Sequence, residues 1–451
     1  MTKRKFFGTD GVRGPYGGPL INENFAERLG VAAGRFASRH HKPDTQCPLL
    51  VVLGRDTRGS GESLLRAVAA GLSSVGATCL YAGIVPTPAV ACAIPRERAA
   101  LGVVITASHN PAEDNGIKFF GADGTKLSDE QEIEIENLLP EDRPTLTTLN
   151  TMRPVEALAP YLQVCGALLA PDSLRGWKIV VDTANGATCE TTPATLKALG
   201  AEVVQIGASP NGANINDNVG SEHTAHLAAR VRESGARIGI AHDGDGDRCV
   251  LSDENGDVLD GDEVLTLLAI DALARGQLAN NLLVVTIQSN LGVDTAITRA
   301  GGRVLRANVG DRYVVEQMRK EGARLGGESS GHFVCADVFF TGDGLVSALR
   351  VIEVMARTGR PLSELKKNLV KFPQLTRNLT VREKRPLETL PHLPMAIERL
   401  ERELGASGRV LVRFSGTEPK LRLLVEAPTA EIAQTALSQL EKVARADLEV
   451  L

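Results

Sequence analysis

The chain is organised around the stretch Leu101-Gly-Val-Val-Ile-Thr-Ala-Ser-His-Asn-Pro111. Its apolar first half, Leu101 to Ile105, predicts a strand, and its polar second half predicts a loop that begins where the strand ends. In open α/β sheets, ligands bind where strands end, so a hydroxyl in this loop is presented to a substrate. Ser108 is therefore the candidate nucleophile. The alternative is an ordinary turn, since Asn before Pro is common turn chemistry.

The strand before this loop belongs to a pattern that recurs along the chain. Each copy reads as a strand, a polar loop, an amphipathic helix, a glycine and a second strand. The copies run from Leu49 to Gly83, from Trp177 to Gly207 and from Asn281 to Ala307. A further short strand follows each copy, at residues 100–106, 236–241 and 323–327.

Each further strand runs directly into an unusual polar loop. The loops are Ala107-Ser-His-Asn-Pro111, Asp243-Gly-Asp-Gly-Asp-Arg248 and Glu328-Ser-Ser-Gly-His332. Duplication of a domain explains the repeated strands and helices, but not why different polar residues fall at one topological point. We therefore expect an α/β protein in which three related α/β domains with mixed sheets surround a central cleft.

Polar or proline-bearing segments near residues 141–154, 253–261 and 371–374 are expected to be linkers. They predict domains at residues 1–153, 154–253, 254–370 and 371–451. In the last of these, Arg409-Val-Leu-Val-Arg-Phe414 and Leu421-Arg-Leu-Leu-Val-Glu426 predict two strands around a turn, with helical patterns on either side. This segment is expected to be a smaller α+β C-terminal domain.

The composition describes an ordinary soluble protein whose partner is a small molecule. Of its 451 residues, 43% are hydrophobic and 23% are charged, and 50 basic against 55 acidic residues give a net charge of −5. The absence of a dense basic run argues against nucleic-acid or anionic-membrane binding. No segment has the length and apolarity of a membrane-spanning helix or a signal peptide, so a cytoplasmic location is expected. The seven cysteines lack a Cys-x-x-Cys pair, which favours reduced thiols over disulfides or zinc.

The loop Asp243-Gly-Asp-Gly-Asp247 has the composition of a divalent-cation site. In an extended chain alternate residues point the same way, so its three carboxylates are expected to converge. Oxygen ligands favour magnesium, with calcium or manganese next. An EF-hand is the main alternative, but Arg248 occupies the position that requires glycine, and the preceding segment predicts a strand. A plain acidic turn is the other alternative.

The segment Arg413-Phe-Ser-Gly-Thr-Glu-Pro-Lys-Leu-Arg422 has the composition of a phosphate clamp. It combines two guanidinium groups, two hydroxyls and a glycine turn whose N–H groups could point at one anion. It is not a Walker motif, so nucleotide binding is not implied. A surface β-turn with incidental arginines is the alternative.

The segment Gly327-Glu-Ser-Ser-Gly331 matches the Gly-x-Ser-x-Gly pattern of a serine hydrolase, with Ser329 as nucleophile. That motif requires a helix immediately afterwards, whereas the residues from Phe333 onward predict a strand. Glu328 and Ser330 are instead interpreted as hydrogen-bond partners of sugar hydroxyls, with His332 as a polar or proton-handling neighbour.

Two basic residues near the N-terminal half of the chain are candidates for anion contacts. Lys118, in Asn115-Gly-Ile-Lys118, could return close to Ser108 and either offset the charge of a phosphate or move a proton. Arg13 lies in a glycine-rich loop and could add another contact. Solvated surface charges are the alternative for both.

Together these motifs resemble the α-D-phosphohexomutases, over nearly the whole chain and in the order of that family. The matching segments are Phe7–Gly14, Thr106–Pro111, Asn115–Lys118, Asp243–Arg248, Gly327–His332 and Arg413–Pro419. Within the family, the N-terminal loop and residues 210–216 and 309–314 are most similar to the branch that acts on glucosamine phosphates. Two positions depart from the pattern: Ser329 replaces a frequent amide in the sugar loop, and Phe414 replaces a frequent lysine in the clamp.

The resemblance implies a role for each domain and for named residues. Residues 1–153 would carry the phosphoserine, 154–253 the metal, 254–370 the sugar site and 371–451 the phosphate clamp. Ser108 would be the phosphoserine, with His109, Lys118 and Arg13 as further catalytic residues. A phosphate oxygen on Ser108 would bind the metal together with Asp243, Asp245 and Asp247. The substrate would be bound by Arg248, Glu328, Ser330, His332, Arg413, Ser415, Gly416, Thr417 and Arg422.

The activity implied is interconversion of glucosamine 6-phosphate and glucosamine 1-phosphate, feeding synthesis of UDP-N-acetylglucosamine and cell-wall precursors. One Mg²⁺ per chain and glucosamine 1,6-bisphosphate, as intermediate or activator, are the implied cofactors. The implied partners are sugar phosphates and a kinase or bisphosphate donor that primes Ser108, with no nucleic acid and no membrane, and the chain would be a monomer or homodimer. The alternatives are a phosphomannomutase or phosphoglucomutase with the same residues, or a non-enzymatic sugar-phosphate sensor.

Overall fold

A computed structural model describes residues 4–8, 10–40, 48–141, 152–415 and 419–451. The chain forms two compact units. The first comprises residues 1–288 and 302–368, and the second comprises residues 289–301 and 369–451.

The first sheet of the large unit has six strands in the order β1-β5-β4-β2-β3-β6. Its strands are β1 (Val12–Pro15), β2 (Leu50–Arg55), β3 (Thr78–Ile84), β4 (Leu101–Ile105), β5 (Asp114–Gly121) and β6 (Arg153–Pro154). Its helices are α1 (Glu23–His40), α2 (Gly61–Ser74), α3 (Thr87–Arg96) and α4 (Asp129–Asn137). Strands β2, β3, β4 and β6 are parallel, whereas β5 is antiparallel to β4. Every residue of β4 is buried, as expected for a continuous apolar run in the centre of a sheet.

The second sheet has five strands in the order β11-β10-β9-β7-β8. Its strands are β7 (Lys178–Asp182), β8 (Glu202–Ile206), β9 (Ile238–His242), β10 (Cys249–Asp253) and β11 (Val258–Leu259). Its helices are α5 (Leu158–Gly166), α6 (Thr191–Ala198) and α7 (Ala225–Ser234). Residues 253–261, which were expected to be a linker, instead form the turn and the short edge strand β11, because Asp253 accepts hydrogen bonds from the backbone of Asn255 and Asp257.

The third sheet has four strands in the order β13-β12-β14-β15. Its strands are β12 (Leu282–Thr286), β13 (Arg303–Ala307), β14 (Leu325–Gly327) and β15 (Phe333–Cys335). The helices of this part of the chain are α8 (Gly261–Ala274), α9 (Leu291–Arg299), α10 (Asp311–Glu321), α11 (Gly344–Thr358) and α12 (Leu362–Leu365). Among these helices, α9 belongs to the second unit.

The predicted repeat is confirmed in all three sheets. In each, three parallel strands are followed by an antiparallel one, and a polar loop joins the last parallel strand to it. These junctions are β4 to β5, β9 to β10 and β14 to β15. The loops with the serine, the aspartates and the glutamate therefore occupy equivalent positions in three mixed sheets, as the sequence predicted.

The second unit contains an antiparallel sheet in the order β16-β18-β17. Its strands are β16 (Gln374–Thr380), β17 (Arg409–Phe414) and β18 (Lys420–Glu426), and its helices besides α9 are α13 (Leu393–Leu404) and α14 (Ala430–Asp447). The two predicted strands and the flanking helices are confirmed, whereas β16 was not predicted. Most of β16 is polar and partly exposed, so its alternation of apolar residues is weak.

None of the helices in the described residues combines the length and apolarity needed to cross a membrane. The six cysteines among these residues are free thiols, and four of them are buried.

Candidate active site

Ser108 lies in the loop that follows the buried strand β4. Its backbone is left-handed, with φ of +55°, which is uncommon for a residue other than glycine. Its N–H donates to Thr106 Oγ1 at 2.9 Å. Its hydroxyl donates to Asp243 Oδ2 at 2.5 Å and lies 3.3 Å from His109 Nδ1. The candidate nucleophile of one sheet thus contacts the acidic loop of the next.

The three aspartates of the acidic loop are buried, and one oxygen from each lies within 4.8 Å of the others. The predicted convergence is confirmed, but the reason given for it is wrong, because the loop is a turn rather than an extended segment. The Gly246 N–H donates to the Asp243 carbonyl at 3.2 Å, and Gly246 has φ of +73°, which favours glycine. The turn, and not strand alternation, brings the carboxylates together.

The donor set fits a divalent cation. In the described part of the chain, Asp245 Oδ1 and Asp247 Oδ1 are buried without a hydrogen-bond partner, which is costly for an anionic oxygen unless a cation is bound. Burial, together with Asp247 and Asp245, raises the pKa of Asp243 well above its ordinary value. Since all donors are oxygens, Mg²⁺ suits the site better than zinc. The element before the loop is β9, a strand, so the EF-hand alternative is excluded.

Lys118 lies on β5 directly opposite Val104 of β4 and contacts the acidic loop. Its side chain is 1% exposed, and Nζ lies 2.8 Å from Asp245 Oδ2, 3.3 Å from Asp247 Oδ2 and 3.0 Å from Asp10 Oδ2. Burial would lower the pKa of Lys118, but the three carboxylates outweigh it and raise the pKa above its ordinary value. The surface-charge alternative is therefore wrong for Lys118, which is a buried cation.

The charged network continues beyond Lys118 through the predicted His332 and through three residues that were not predicted as site residues, Lys126, Asp10 and Asp311. Lys126 Nζ lies 2.5 Å from Asp10 Oδ1 and also contacts Asp311. His332 Nε2 lies 3.2 Å from Asp311 Oδ2 and 3.7 Å from Asp247 Oδ2. Asp10 and Asp311 belong to segments that carried the family resemblance, but no pattern within these segments indicates that Lys126 joins them.

Thr87, at the start of α3, is another missed residue. Its hydroxyl donates to Asp245 Oδ2 at 2.6 Å, and its N–H donates to the Asp245 carbonyl at 2.9 Å. The first bond orients the Asp245 carboxylate and the second fixes its backbone, both from a helix that packs on a different sheet. A threonine at a helix start is common, so the sequence alone offers no signal for this contact.

The remaining catalytic candidates lie around Ser108. Burial, followed by nearby Arg248, lowers the pKa of His109 to about 4, so its imidazole is neutral at neutral pH. Arg13 pairs with the Asp10 carboxylate, and its Nε donates to the Asp10 carbonyl at 3.2 Å. The Arg248 N–H donates to Asp243 Oδ1 at 3.2 Å, and its side chain is 16% exposed. Neither arginine is a fully solvated surface charge.

The predicted sugar loop is a tight turn between β14 and β15. The Gly331 N–H donates to the Glu328 carbonyl at 3.1 Å, and Glu328 Oε1 accepts from the Gly310 N–H at 2.9 Å. Ser330 is exposed, Glu328 is half-buried and His332 is buried. Because β15 begins two residues after Gly331, the helix required by the hydrolase alternative is missing, and that alternative is excluded.

The second unit presents the predicted clamp between β17 and β18. Arg413 lies directly opposite Arg422 in the ladder, an arrangement of like charges whose mutual repulsion an anion between them would reduce. Burial, followed by Arg422, lowers the pKa of Arg413. The Ser415 N–H donates to the Lys420 carbonyl at 2.8 Å, and Lys384 Nζ donates to the Ser415 carbonyl at 2.6 Å. Gly416 and Thr417 lie outside the described residues.

Sequence profiles of one family match the chain from end to end. They are those of phosphoglucomutase/phosphomannomutase: alpha/beta/alpha domain I at residues 4–145, domain II at 159–256, domain III at 260–372 and the C-terminal domain at 367–443. The chain therefore belongs to the phosphoglucomutase/phosphomannomutase family and is an enzyme, a phosphosugar mutase. Its aspartate triad can hold the Mg²⁺ that this family uses.

A curated relative agrees with this assignment, and two solved structures share the fold. A protein of Syntrophotalea carbinolica named phosphoglucosamine mutase is 43% identical over 450 residues, covering 97% of this chain and 96% of the relative. The structure of a phosphoglucomutase/phosphomannomutase family protein from Burkholderia thailandensis has a TM-score of 0.81 at 24% identity, covering 99% and 98% of the two chains. That of Aspergillus fumigatus N-acetylphosphoglucosamine mutase, in complex with GlcNAc-6P and magnesium, has a TM-score of 0.68 at 18% identity, covering 99% and 96%.

Proposed function

We propose that this mutase interconverts glucosamine 6-phosphate and glucosamine 1-phosphate through a phosphoserine at Ser108. The observation that carries the proposal is the contact between Ser108 Oγ and Asp243 Oδ2, across two sheets. A serine hydroxyl held against a buried cluster of carboxylates has no evident structural use. It would have a clear use if that oxygen carried a phosphoryl group, because a cation held by these carboxylates would offset the charge of the group.

Asp243, Asp245 and Asp247 are the residues that would hold Mg²⁺. The ion would withdraw charge from the transferring phosphoryl group, which carries up to two negative charges near neutral pH. Lys118 contacts the carboxylates of Asp245 and Asp247 and remains protonated, so the chain itself adds a positive charge next to the cluster.

The proposed reaction has two balanced phosphoryl transfers. In the first, the bond from phosphorus to Ser108 Oγ breaks, a bond to the sugar 1-oxygen forms, the proton of the 1-hydroxyl leaves, and Ser108 Oγ gains a proton. The product is glucosamine 1,6-bisphosphate. In the second, its 6-phosphoryl group passes to Ser108, the proton of the serine hydroxyl leaves, the sugar 6-oxygen gains a proton, and glucosamine 1-phosphate is released. Asp243 and His109 are the groups next to Oγ that could move its proton.

Two sets of residues would bind the sugar phosphate. Glu328 and Ser330 would hydrogen-bond sugar hydroxyls, with His332 and Arg248 beside them. The phosphate that does not react would be bound by Arg413, Ser415, Gly416, Thr417 and Arg422. The opposed arginines of the clamp support this role, because an anion would relieve their repulsion. Because the intermediate turns over between the two transfers, the clamp must be able to bind either its 1-phosphate or its 6-phosphate.

The preference for glucosamine is tested by comparing turnover of glucosamine, glucose and mannose phosphates. It rests on the names of the relatives and on the segments of residues 210–216 and 309–314. A higher kcat/KM for glucose or mannose phosphates would replace the proposal with a phosphoglucomutase or phosphomannomutase. We further propose a cytoplasmic enzyme, monomeric or homodimeric, primed by a kinase or a sugar bisphosphate.

The covalent mechanism is tested by intact-mass spectrometry with peptide mapping and by Ser108→Ala. We expect a phosphate on Ser108 in active enzyme. The variant should lose turnover while its affinity for glucosamine 6-phosphate stays largely intact, because the clamp does not include Ser108. Substantial mutase activity in Ser108→Ala would overturn the covalent mechanism.

A further inference from the structure

The backbone of the Ser108 loop is held by two side chains from distant parts of the sequence. The Ser108 carbonyl accepts hydrogen bonds from Arg58 Nη2 at 3.0 Å and from Asn216 Nδ2 at 2.8 Å. The Asn110 carbonyl accepts from the same two atoms, at 2.7 and 2.9 Å. The two carbonyls on either side of His109 are therefore each bound twice.

Arg58 supplies the half of this arrangement that comes from the same sheet as Ser108. Its side chain is fully buried, and Asp56 accepts from its Nε and its backbone N–H, both at 2.9 Å. Arg58 Nη1 also donates to the carbonyls of Pro111 and Asp114. A planar guanidinium with several donors can fix such a loop in one conformation.

Asn216 supplies the other half, from the second sheet. It ends the segment of residues 210–216, for which the proposed chemistry has no use. Its backbone is left-handed, with φ of +59°, and its N–H donates to the Ala184 carbonyl at 2.8 Å. Both partners of its side-chain amide are carbonyl oxygens, which only accept hydrogen bonds. The NH₂ group of the amide must therefore face them, and this fixes the orientation of the amide.

The same segment also contacts the acidic loop and the Arg58 turn. A Cβ at Gly244, between Asp243 and Asp245, would lie 2.6 Å from Ile215 Cδ1 and 2.7 Å from the Ser108 carbonyl oxygen. The Gly59 N–H donates to the Gly212 carbonyl at 2.8 Å. Residues 210–216 therefore touch both the loop that bears the nucleophile and the loop that bears the aspartates.

We propose that Asn216 is a positioning residue, which holds the Ser108 backbone in its left-handed conformation and in register with the acidic loop. This inference rests on the proposed phosphoserine mechanism. Transfer in line requires the sugar oxygen, the phosphorus and Ser108 Oγ to lie on one line beside the carboxylates, and an error of about 1 Å in such an alignment costs about 10²-fold in rate. Asn216 touches none of the reacting atoms and acts through the Ser108 carbonyl.

The test compares Asn216→Gly with Asn218→Gly. Both asparagines are left-handed, with φ of +59° and +54°, so glycine removes the side chain at each without backbone strain. Asn218 is exposed, and its amide donates to neighbouring Asp217 rather than to the Ser108 loop. A third variant, Asn216→Asp, keeps the shape but turns a carboxylate oxygen toward two carbonyl oxygens.

The readout is the rate at which purified phosphoenzyme transfers its phosphoryl group to glucosamine 6-phosphate, measured by rapid quench. We expect Asn216→Gly to slow transfer by about 10²-fold with unchanged affinity for the sugar phosphate, and Asn216→Asp to be slower still. Asn218→Gly should transfer at the wild-type rate. Thermal unfolding of each variant is measured first, and the transfer rates are then measured below its unfolding transition. A slower rate then reports a misplaced Ser108 loop rather than a loss of folded protein.

Equal transfer rates in Asn216→Gly and Asn218→Gly would overturn the proposal. So would a parallel loss of transfer rate, affinity and thermal stability, since that is the signature of a purely structural residue. The phosphorylation state of Ser108 in the wild-type enzyme shows whether the positioning role or the phosphoserine mechanism itself is wrong. If active wild-type enzyme carries no phosphate on Ser108, the mechanism itself fails; if Ser108 is phosphorylated and Asn216→Gly transfers normally, only the positioning role fails.

Discussion

Replacing Lys118 by methionine is expected to destabilise the protein and to make its stability strongly dependent on Mg²⁺. The ammonium is buried and lies 2.8, 3.3 and 3.0 Å from carboxylates of Asp245, Asp247 and Asp10. Removing one partner of a buried ion pair costs about 3–5 kcal/mol, because the other charge remains without compensation. Methionine keeps the length and most of the volume of the stem, so cavity formation adds little.

The Mg²⁺ dependence follows because the ammonium and the cation would neutralise the charge of the same carboxylates. Lys118 contacts Asp245 Oδ2 and Asp247 Oδ2, and both residues belong to the triad that fits a divalent cation. Without the ammonium, the cation should bind more tightly and restore part of the lost stability. A ligand at one hundred times its dissociation constant stabilises the folded state by about 2.7 kcal/mol.

The assay is urea unfolding in EDTA and in saturating Mg²⁺, followed by the fluorescence of Trp177, the single tryptophan of the chain. Lys126→Met is the matched control, because Lys126 is a buried lysine that contacts Asp10 and Asp311 but none of the triad. It should lose stability in EDTA and keep the wild-type response to Mg²⁺. If Lys118→Met is as stable as wild type in EDTA, or if all three proteins respond equally to Mg²⁺, Lys118 does not compensate the charge of the triad.

Two further substitutions test the clamp and a buried acid. Arg422→Met should weaken binding of glucosamine 6-phosphate by about 10–100-fold, since a hydrogen bond to a charged group contributes about 1.5–3 kcal/mol. Calorimetric titration measures this, and an affinity equal to that of the control Arg377→Met would exclude the clamp. Burial raises the pKa of Asp343 to about 7, whereas the same carboxyl group in the unfolded chain loses its proton near pH 4. The protonated carboxyl group therefore contributes stability that is fully present below pH 4 and is lost as the pH rises through 7. The amide introduced by Asp343→Asn could still accept the hydrogen bond from the Tyr161 hydroxyl but does not titrate, so the stability of this variant relative to wild type should rise between about pH 4 and 7. Urea midpoints measured over this pH range test this, and a stability difference independent of pH would contradict the raised pKa of Asp343.

Features that depend on short, continuous segments could be predicted from the sequence. The apolar run of β4, the glycine-spaced acidic loop and the segment from Arg413 to Arg422 each combine an element and its chemistry within about a dozen residues, as such motifs do. Repetition of one strand order then indicated that the three polar loops occupy equivalent positions. The shape of the acidic loop could not be predicted, because Asp243 to Asp247 form a turn rather than the expected extended segment.

Features that depend on distant pairs could not be predicted. Lys126 has the same local appearance as a surface lysine, and its burial against Asp10 and Asp311 exists only because residues far apart in sequence meet in the folded chain. The contact of Asn216 with the Ser108 carbonyl spans 108 residues. The weakly patterned edge strand β16 belongs to the same class, since its pairing with β18 rather than its own composition defines it.

By itself the sequence determined the repeated α/β arrangement, the family and the residue types of the chemistry, because strand periodicity, loop position and donor set are all properties of short segments. Only the tertiary structure decided which charges are buried together and how the serine backbone is held. Those features depend on removing water from groups that are distant along the chain, and desolvation is a property of the packed molecule rather than of any segment.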